Sequence, residues 1–259
     1  MNRVLRVAAY GCNVEVEASE AGVLEILDRH LLPTLPRVQQ FAGEPQGMAR
    51  IEAAENGYVL SAAGIESRVA PSVIELVPFV TQVVDEIVMR HLRGWFAIHA
   101  GTVAWRGRAI LVPGTSHAGK SSLVAALLRR GATYFSDEYA LIDADGQAHP
   151  YPRPLLLRDG SAVQKPVLAS DLNAKVGREP VPVGWIFAVK YRPGTAWKVE
   201  AMQQSEAVLN LLQNTPQILA ETPEMLSHFG RAVQGSKCYR GERGSAEDGA
   251  AEILQMASE

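Results

Sequence analysis

The run Gly114-Thr115-Ser116-His117-Ala118-Gly119-Lys120-Ser121 satisfies G-x-x-x-x-G-K-[ST] at every fixed position. These residue types at this spacing suit the phosphates of a nucleotide. The glycines let the backbone turn so that its N–H groups converge on phosphate oxygens, the lysine reaches the terminal phosphates, and the hydroxyl ligates Mg²⁺. The pattern has physical content only between a strand and a helix. Ala109-Ile110-Leu111-Val112 ahead of it reads as a buried strand, and residues 122–130 behind it read as a helix closed by Gly131. The positive end of that helix then faces the phosphates. On this reading Gly114, Thr115, Ser116, His117, Ala118, Gly119, Lys120, Ser121 and Ser122 line a nucleoside triphosphate site. The alternative is a plain Gly-rich turn from strand to helix.

The next carboxylates narrow the chemistry. Asp137-Glu138 closes the strand expected at 132–136, only 17 residues after Lys120. Acids at the carboxyl end of a sheet strand stand where ligands of open α/β folds bind. One carboxylate can hold Mg²⁺ with Ser121, and the other can accept the proton of a hydroxyl attacking in line. Away from a phosphate loop, the same pair would simply face solvent. His99, in the run 96–105 that precedes the loop strand, is placed to approach Asp137 if the two strands pair. A lone histidine on an apolar strand is otherwise a hydrogen-bonded core residue. His117 occupies an unconstrained loop position and faces solvent on this reading. Arg153, Arg158 and Arg192 are candidates for stabilising charge on a transferring phosphate, against the ordinary alternative of surface ion pairing.

The elements that would position these groups follow from periodicity and punctuation. Strands are expected at 4–10 and 13–18, and Ser19 caps a helix over 20–32 with Val23, Leu24, Leu27 and Leu31 on one face, stopped by Pro33 and Pro36. Strands at 49–54 and 57–62 flank an Asn56-Gly57 turn, and a helix spans 72–93. Further on, Arg106-Gly107 turns the 96–105 strand back into the loop strand, and 139–142 pairs with 146–151 through Asp145-Gly146. Residues 159–182 read as loop. Strands at 183–191, 197–202 and 237–240 and helices at 205–212, 222–231 and 246–256 complete the chain, Thr222 capping the second of these helices. This predicts an α/β protein: a small N-terminal α+β domain over 1–70 and a catalytic domain over 71–259, with its core at 96–143.

Composition excludes several classes. A net charge of −3 and a pI near 6.1 argue against nucleic-acid binding through bulk positive charge. Cys12 and Cys238 form neither a metal-ligand spacing nor a disulfide framework, which suits a reducing cytoplasm. The most apolar long segment, 73–92, carries Glu75, Asp85, Glu86 and Arg90, so no membrane span is expected, and residues 1–12 lack the apolar core of a signal peptide.

Taken together, Ile98-His99-Ala100-Gly101, the loop through Ser122, Arg130-Gly131-Ala132 and Ser136-Asp137-Glu138 resemble the catalytic domain of HPr kinase/phosphorylase, and in particular its shorter relatives in bacterial peptide-modification clusters, including lasso-peptide precursor kinases. The likeness is specific over about 96–143, and the acidic pair is Asp-Glu where that family has Asp-Asp. It implies a P-loop kinase core of the type shared with phosphoenolpyruvate carboxykinase. It further implies ATP and Mg²⁺, transfer to a serine hydroxyl of a peptide or small protein, Asp137 as general base with His99 as its partner, and Lys120 on the phosphates. Ser121 would meet the metal with one or both of Asp137 and Glu138. A homo-oligomer is compatible with the resemblance. Two other functions fit the same motifs: a small-molecule hydroxyl kinase, and a nucleotide-binding regulatory module without transfer activity.

Overall fold

The computed structural model describes residues 4–31, 38–115, 118–157, 165–216 and 223–259. Two compact units divide the chain: Met1–Arg93 with Leu156–Val167, and Gly94–Leu155 with Leu168–Glu259.

The first unit contains β1 (Val4–Ala9), β2 (Cys12–Ala18), α1 (Ala21–Leu31), β3 (Gly47–Ala54), β4 (Gly57–Ala62), β5 (Ile65–Ala70) and α2 (Val73–His91). Its strands lie side by side in chain order, antiparallel except for the β2–β3 pair, which is parallel. Strict alternation in β2 buries Cys12, Val14, Val16 and Ala18 on one face and leaves Asn13, Glu15 and Glu17 on the other. Helices α1 and α2 pack on this sheet. Ser72 caps α2, its Oγ accepting from the Glu75 N–H at 3.3 Å, and Leu76, Val77, Val80, Val84 and Val88 form the buried stripe. The expected boundary at residue 70 assigned this helix to the catalytic domain. It belongs instead to the first unit, because the sheet offers the surface that its apolar stripe must cover. The sequence reading also lacked β5, an edge strand that buries only Ala70 and so shows no apolar alternation. The β3–β4 turn is made by Glu55-Asn56, with Gly57 already paired to Ala54.

The second unit holds β6 (Phe96–Trp105), β7 (Arg108–Pro113), α3 (Lys120–Arg129), β8 (Thr133–Ser136), β9 (Tyr139–Ile142) and β10 (Gln147–His149). After β11 (Leu155–Leu157) and β12 (Lys165–Val167), which pair with each other and from Leu156 onward belong to the first unit, come β13 (Val181–Tyr191), β14 (Lys198–Ala201), α4 (Gln204–Gln213), α5 (Pro223–Val233), β15 (Lys237–Arg243) and α6 (Ala246–Met256). Residues expected as loop at 159–182 thus include β12, a 3-10 turn at Ala169–Leu172 and the start of β13. Pro33, Pro36, Arg158 and Thr222 lie outside the described residues. The main sheet runs β10-β9-β6-β7-β13-β15-β14, with β8 beside β9 on β6. Strands β7, β13 and β15 are mutually parallel. The start of β13 also pairs with β10, so this end of the sheet curls back on itself. Arg106 and Gly107, both at positive φ (50° and 78°), make the two-residue turn that returns β7 against β6.

Each face of this sheet is covered. Helices α4 and α5 bury Ala207, Leu211, Met225 and Phe229 with Ile98, Leu111 and Ile186. Helix α3 packs against β6 and α6. The absence of a side chain at Gly101 allows that close approach, since a Cβ there would stand 2.7 Å from Val124 Cγ2. Among the described residues no helix is long and apolar enough to cross a membrane.

Gly101→Ala should therefore push α3 off the sheet and lower stability by about 1–3 kcal/mol. Trimming the opposing residue should relieve the clash, so denaturant unfolding of Gly101→Ala, Val124→Ala and the double variant should show costs well below additive. Strict additivity would mean that the two residues do not press on each other.

Candidate active site

The phosphate-loop run leaves β7 at Pro113 and enters α3 at Lys120, with Gly119 in the left-handed conformation (φ 75°) at the helix start. Ser116 and His117 lie outside the described residues, so the site is defined by Gly114, Thr115, Ala118, Gly119, Lys120, Ser121 and Ser122. Backbone bonds fix the loop to its surroundings. Gly114 N–H donates to the His99 carbonyl (3.0 Å), His99 N–H donates to the Asn214 carbonyl just beyond α4 (2.7 Å), and Ala100 N–H donates to the Glu138 carbonyl (3.0 Å).

The acids sit in a bend. Thr102 pairs with Ser136 and His99 with Tyr139, which leaves Asp137 and Glu138 as an irregularity between β8 and β9, both antiparallel to β6. Ser136 Oγ accepts from the N–H groups of Glu138 (3.3 Å) and Tyr139 (3.1 Å), holding the chain in that bend. The bend aims the two carboxylates at different environments.

Asp137 is 2% exposed. Its Oδ1 lies 3.0 Å from the Tyr134 hydroxyl and 3.9 Å from Arg153 Nε, and Ser121 lies beside its carboxylate. Burial raises its pKa, against the pull of Arg153 and Ser121; the charge of Glu138 adds to the rise. Glu138 faces the loop mouth, with a quarter of its side chain exposed, and its Oε1 is 3.3 Å from His99 Nδ1. At that distance and alignment the contact is electrostatic rather than a well-formed hydrogen bond. Burial would raise the Glu138 pKa, but the His99 ring, Lys120 and Arg153 together outweigh it and hold the group at about 2. Lys120 is 5% exposed, and its ammonium donates to the carbonyls of Gly114 (2.9 Å) and Thr115 (3.0 Å). Burial lowers its pKa, while Glu138 and Asp137 oppose the fall.

The structure thus gathers Lys120, Ser121, Asp137, Glu138, His99 and Arg153 at one place. It differs from the sequence reading on one pairing: the His99 ring meets Glu138, not Asp137, because alternation beyond the bend turns Asp137 inward towards Tyr134 and Arg153. Of the three candidate arginines, Arg153 is at the site. Arg192 is a surface residue paired with Glu242 at 3.0 Å, and Arg158 is not among the described residues. A fourth arginine was missed. Arg243, on the far side of the loop, donates from Nη2 to the Gly119 carbonyl (2.8 Å) and is buried. The expected last strand stopped at Arg240, and only its continuation to Arg243 brings that side chain to the loop.

The residues fit a Mg²⁺–triphosphate. A buried ammonium that, among the described residues, donates to loop carbonyls, and a hydroxyl beside a buried carboxylate, are what such a ligand requires. Among the described residues no group of three or more His, Cys, Asp or Glu could hold a metal ion.

Because Glu138 titrates in the folded state below its ordinary value of 4.5, its ion pairing stabilises the protein fully above that pH and declines as the pH falls towards 2. Wild type should exceed Glu138→Gln in urea-unfolding free energy by on the order of 2 kcal/mol at neutral pH. The gap should close between roughly pH 5 and pH 2. A gap that does not change over this range would contradict the pairing.

No protein-family model matches the chain, and no curated protein is significantly similar to it in sequence. Among solved structures, the HPr(Ser) kinase/phosphatase from Coxiella burnetii is similar over 62% of this chain and 93% of its own, at 14% identity and a TM-score of 0.30. With a superposition this loose, function has to be read from the side chains described above.

Proposed function

We propose that the protein is an ATP-dependent, Mg²⁺-assisted kinase that phosphorylates a serine hydroxyl of a peptide or small protein. The observation that carries this is the division of labour in the acidic pair: Asp137 buried against Ser121, Glu138 at the mouth beside His99 and Lys120. Magnesium, when bound with the triphosphate, neutralises phosphate charge and favours departure of the diphosphate. Ser121 and Asp137 would hold it. Lys120 would leave the Gly114 and Thr115 carbonyls for the terminal phosphates, while the loop N–H groups hold the rest of the chain.

Glu138 is then the general base. As the acceptor oxygen bonds to the γ-phosphorus and the bond to the β-phosphate oxygen breaks, Glu138 takes the hydroxyl proton, and His99 orients its carboxylate. A carboxylate held at about 2 is a weak base. Lys120 contributes to that depression, so its engagement with phosphate, together with the incoming negative charge, raises the proton affinity of Glu138 when ATP is bound. Arg153 keeps net positive charge behind the pair.

An open groove of about 700 Å³ runs along β13, β14, β15 and α4. Lys190, Lys198, Leu209, Gln213, Arg240 and Glu242 line part of it, and α4, which supplies Leu209 and Gln213, ends beside the carbonyl that receives the His99 N–H.

Incubation with γ-labelled ATP, Mg²⁺ and serine-containing peptides, followed by mass spectrometry, tests the activity. Glu138→Gln should reduce transfer by about 10²–10⁴-fold while Mg·ATP affinity changes little. Asp137→Asn should raise the Mg²⁺ concentration needed, and Lys120→Met should weaken ATP binding. Near-normal transfer by Glu138→Gln, with Asp137→Asn inactive at saturating Mg·ATP, would return the role of base to Asp137.

A further inference from the structure

The direction of a bound nucleotide follows from the order of the strands. Asp137 and Glu138 stand on the β6 side of the loop strand β7, while β13 and β15 lie on its other side. A terminal phosphate facing the acids leaves the nucleoside end projecting over the carboxyl ends of β13 and β15. Two side chains occupy those ends. Tyr191 and Arg243 are partners in the parallel register of β13 and β15.

Both touch the loop. A Cβ built on Gly119 would stand 3.8 Å from Tyr191 Cβ and 2.6 Å from Arg243 Nη2, so neither residue can be far from a ligand in the cradle. Arg243 is 2% exposed, and it donates to the carbonyls of Gly119 (2.8 Å) and Gly244 (3.1 Å). Its guanidinium lies over the Tyr191 ring, 5.3 Å from the centroid, and so braces the ring from that side. Tyr191 nevertheless remains 50% exposed. An aromatic ring with a guanidinium over it and half of its surface in water offers a stacking surface.

We propose that Tyr191, braced by Arg243, is the nucleobase platform: the planar base of a nucleoside triphosphate stacks on the exposed side of the Tyr191 ring. The subsite rests on the nucleotide-binding function proposed above and adds to it the part of the ligand that the loop cannot recognise. Stacking alone is tolerant of base identity. The platform therefore separates nucleotides from inorganic polyphosphate rather than one purine from another.

Calorimetric titration of the full chain with Mg·ATP and with Mg·tripolyphosphate tests this. Wild type should bind ATP at least about tenfold more tightly than tripolyphosphate. Tyr191→Ala should lose about tenfold in ATP affinity and keep its tripolyphosphate affinity, which also reports that the loop is folded. Tyr191→Phe should restore ATP binding. Independently, Tyr191→Trp should acquire an indole emission change on adding ATP that tripolyphosphate does not produce. Equal losses for both ligands in Tyr191→Ala, or no loss for either, would overturn the platform. Failure of wild type to bind either ligand would instead overturn the nucleotide site and the platform with it.

Discussion

Two adjacent carboxylates stay side by side in a largely buried bend only when positive charge surrounds them; Lys120 and Arg153 supply it here, with the His99 ring beside Glu138. The environments then separate the acids. At Asp137 burial prevails over Arg153 and raises the proton affinity. At Glu138 the cations prevail over burial and lower it. Neighbouring titratable groups driven in opposite directions are a common basis for assigning separate chemical roles. In the proposed reaction one acid would be an inward ligand beside Ser121, and the other an outward base at the mouth.

Strand β6 is the element that makes this arrangement possible. It pairs with the loop strand on one side and with both halves of the bent acidic segment on the other. Its backbone bonds the loop through Gly114 and the acids through Glu138, from two consecutive residues, His99 and Ala100. A small shift of β6 would thus move the phosphate cradle and the base together. The glycine at 101, which admits α3 against the same strand, belongs to the same constraint.

Much of this was legible in the residues. The loop pattern, its flanking strand and helix, the acidic pair and the 96–105 strand all rest on local spacing, and the corresponding elements form within a residue or two of expectation. What escaped depends on tertiary geometry. The partner of His99 is set by an irregularity between β8 and β9 that no periodicity announces. The placement of α2 is decided by the sheet that its apolar stripe covers. Arg153 was one of three equivalent arginines until the fold set it beside Asp137. Arg243 lay beyond the expected end of the last strand, and only parallel pairing with β13 carries it to Gly119. Ser116 and His117 fall outside the described residues, so their expected place in the cradle stands on the loop pattern.

A crystal structure with Mg²⁺ and a non-hydrolysable ATP analogue examines the central claim most directly. The polarity proposed here predicts the terminal phosphate beside Lys120 and facing Glu138, the metal on Ser121, and the base over β13. A nucleotide bound elsewhere, or one with its terminal phosphate directed away from Glu138, would contradict it.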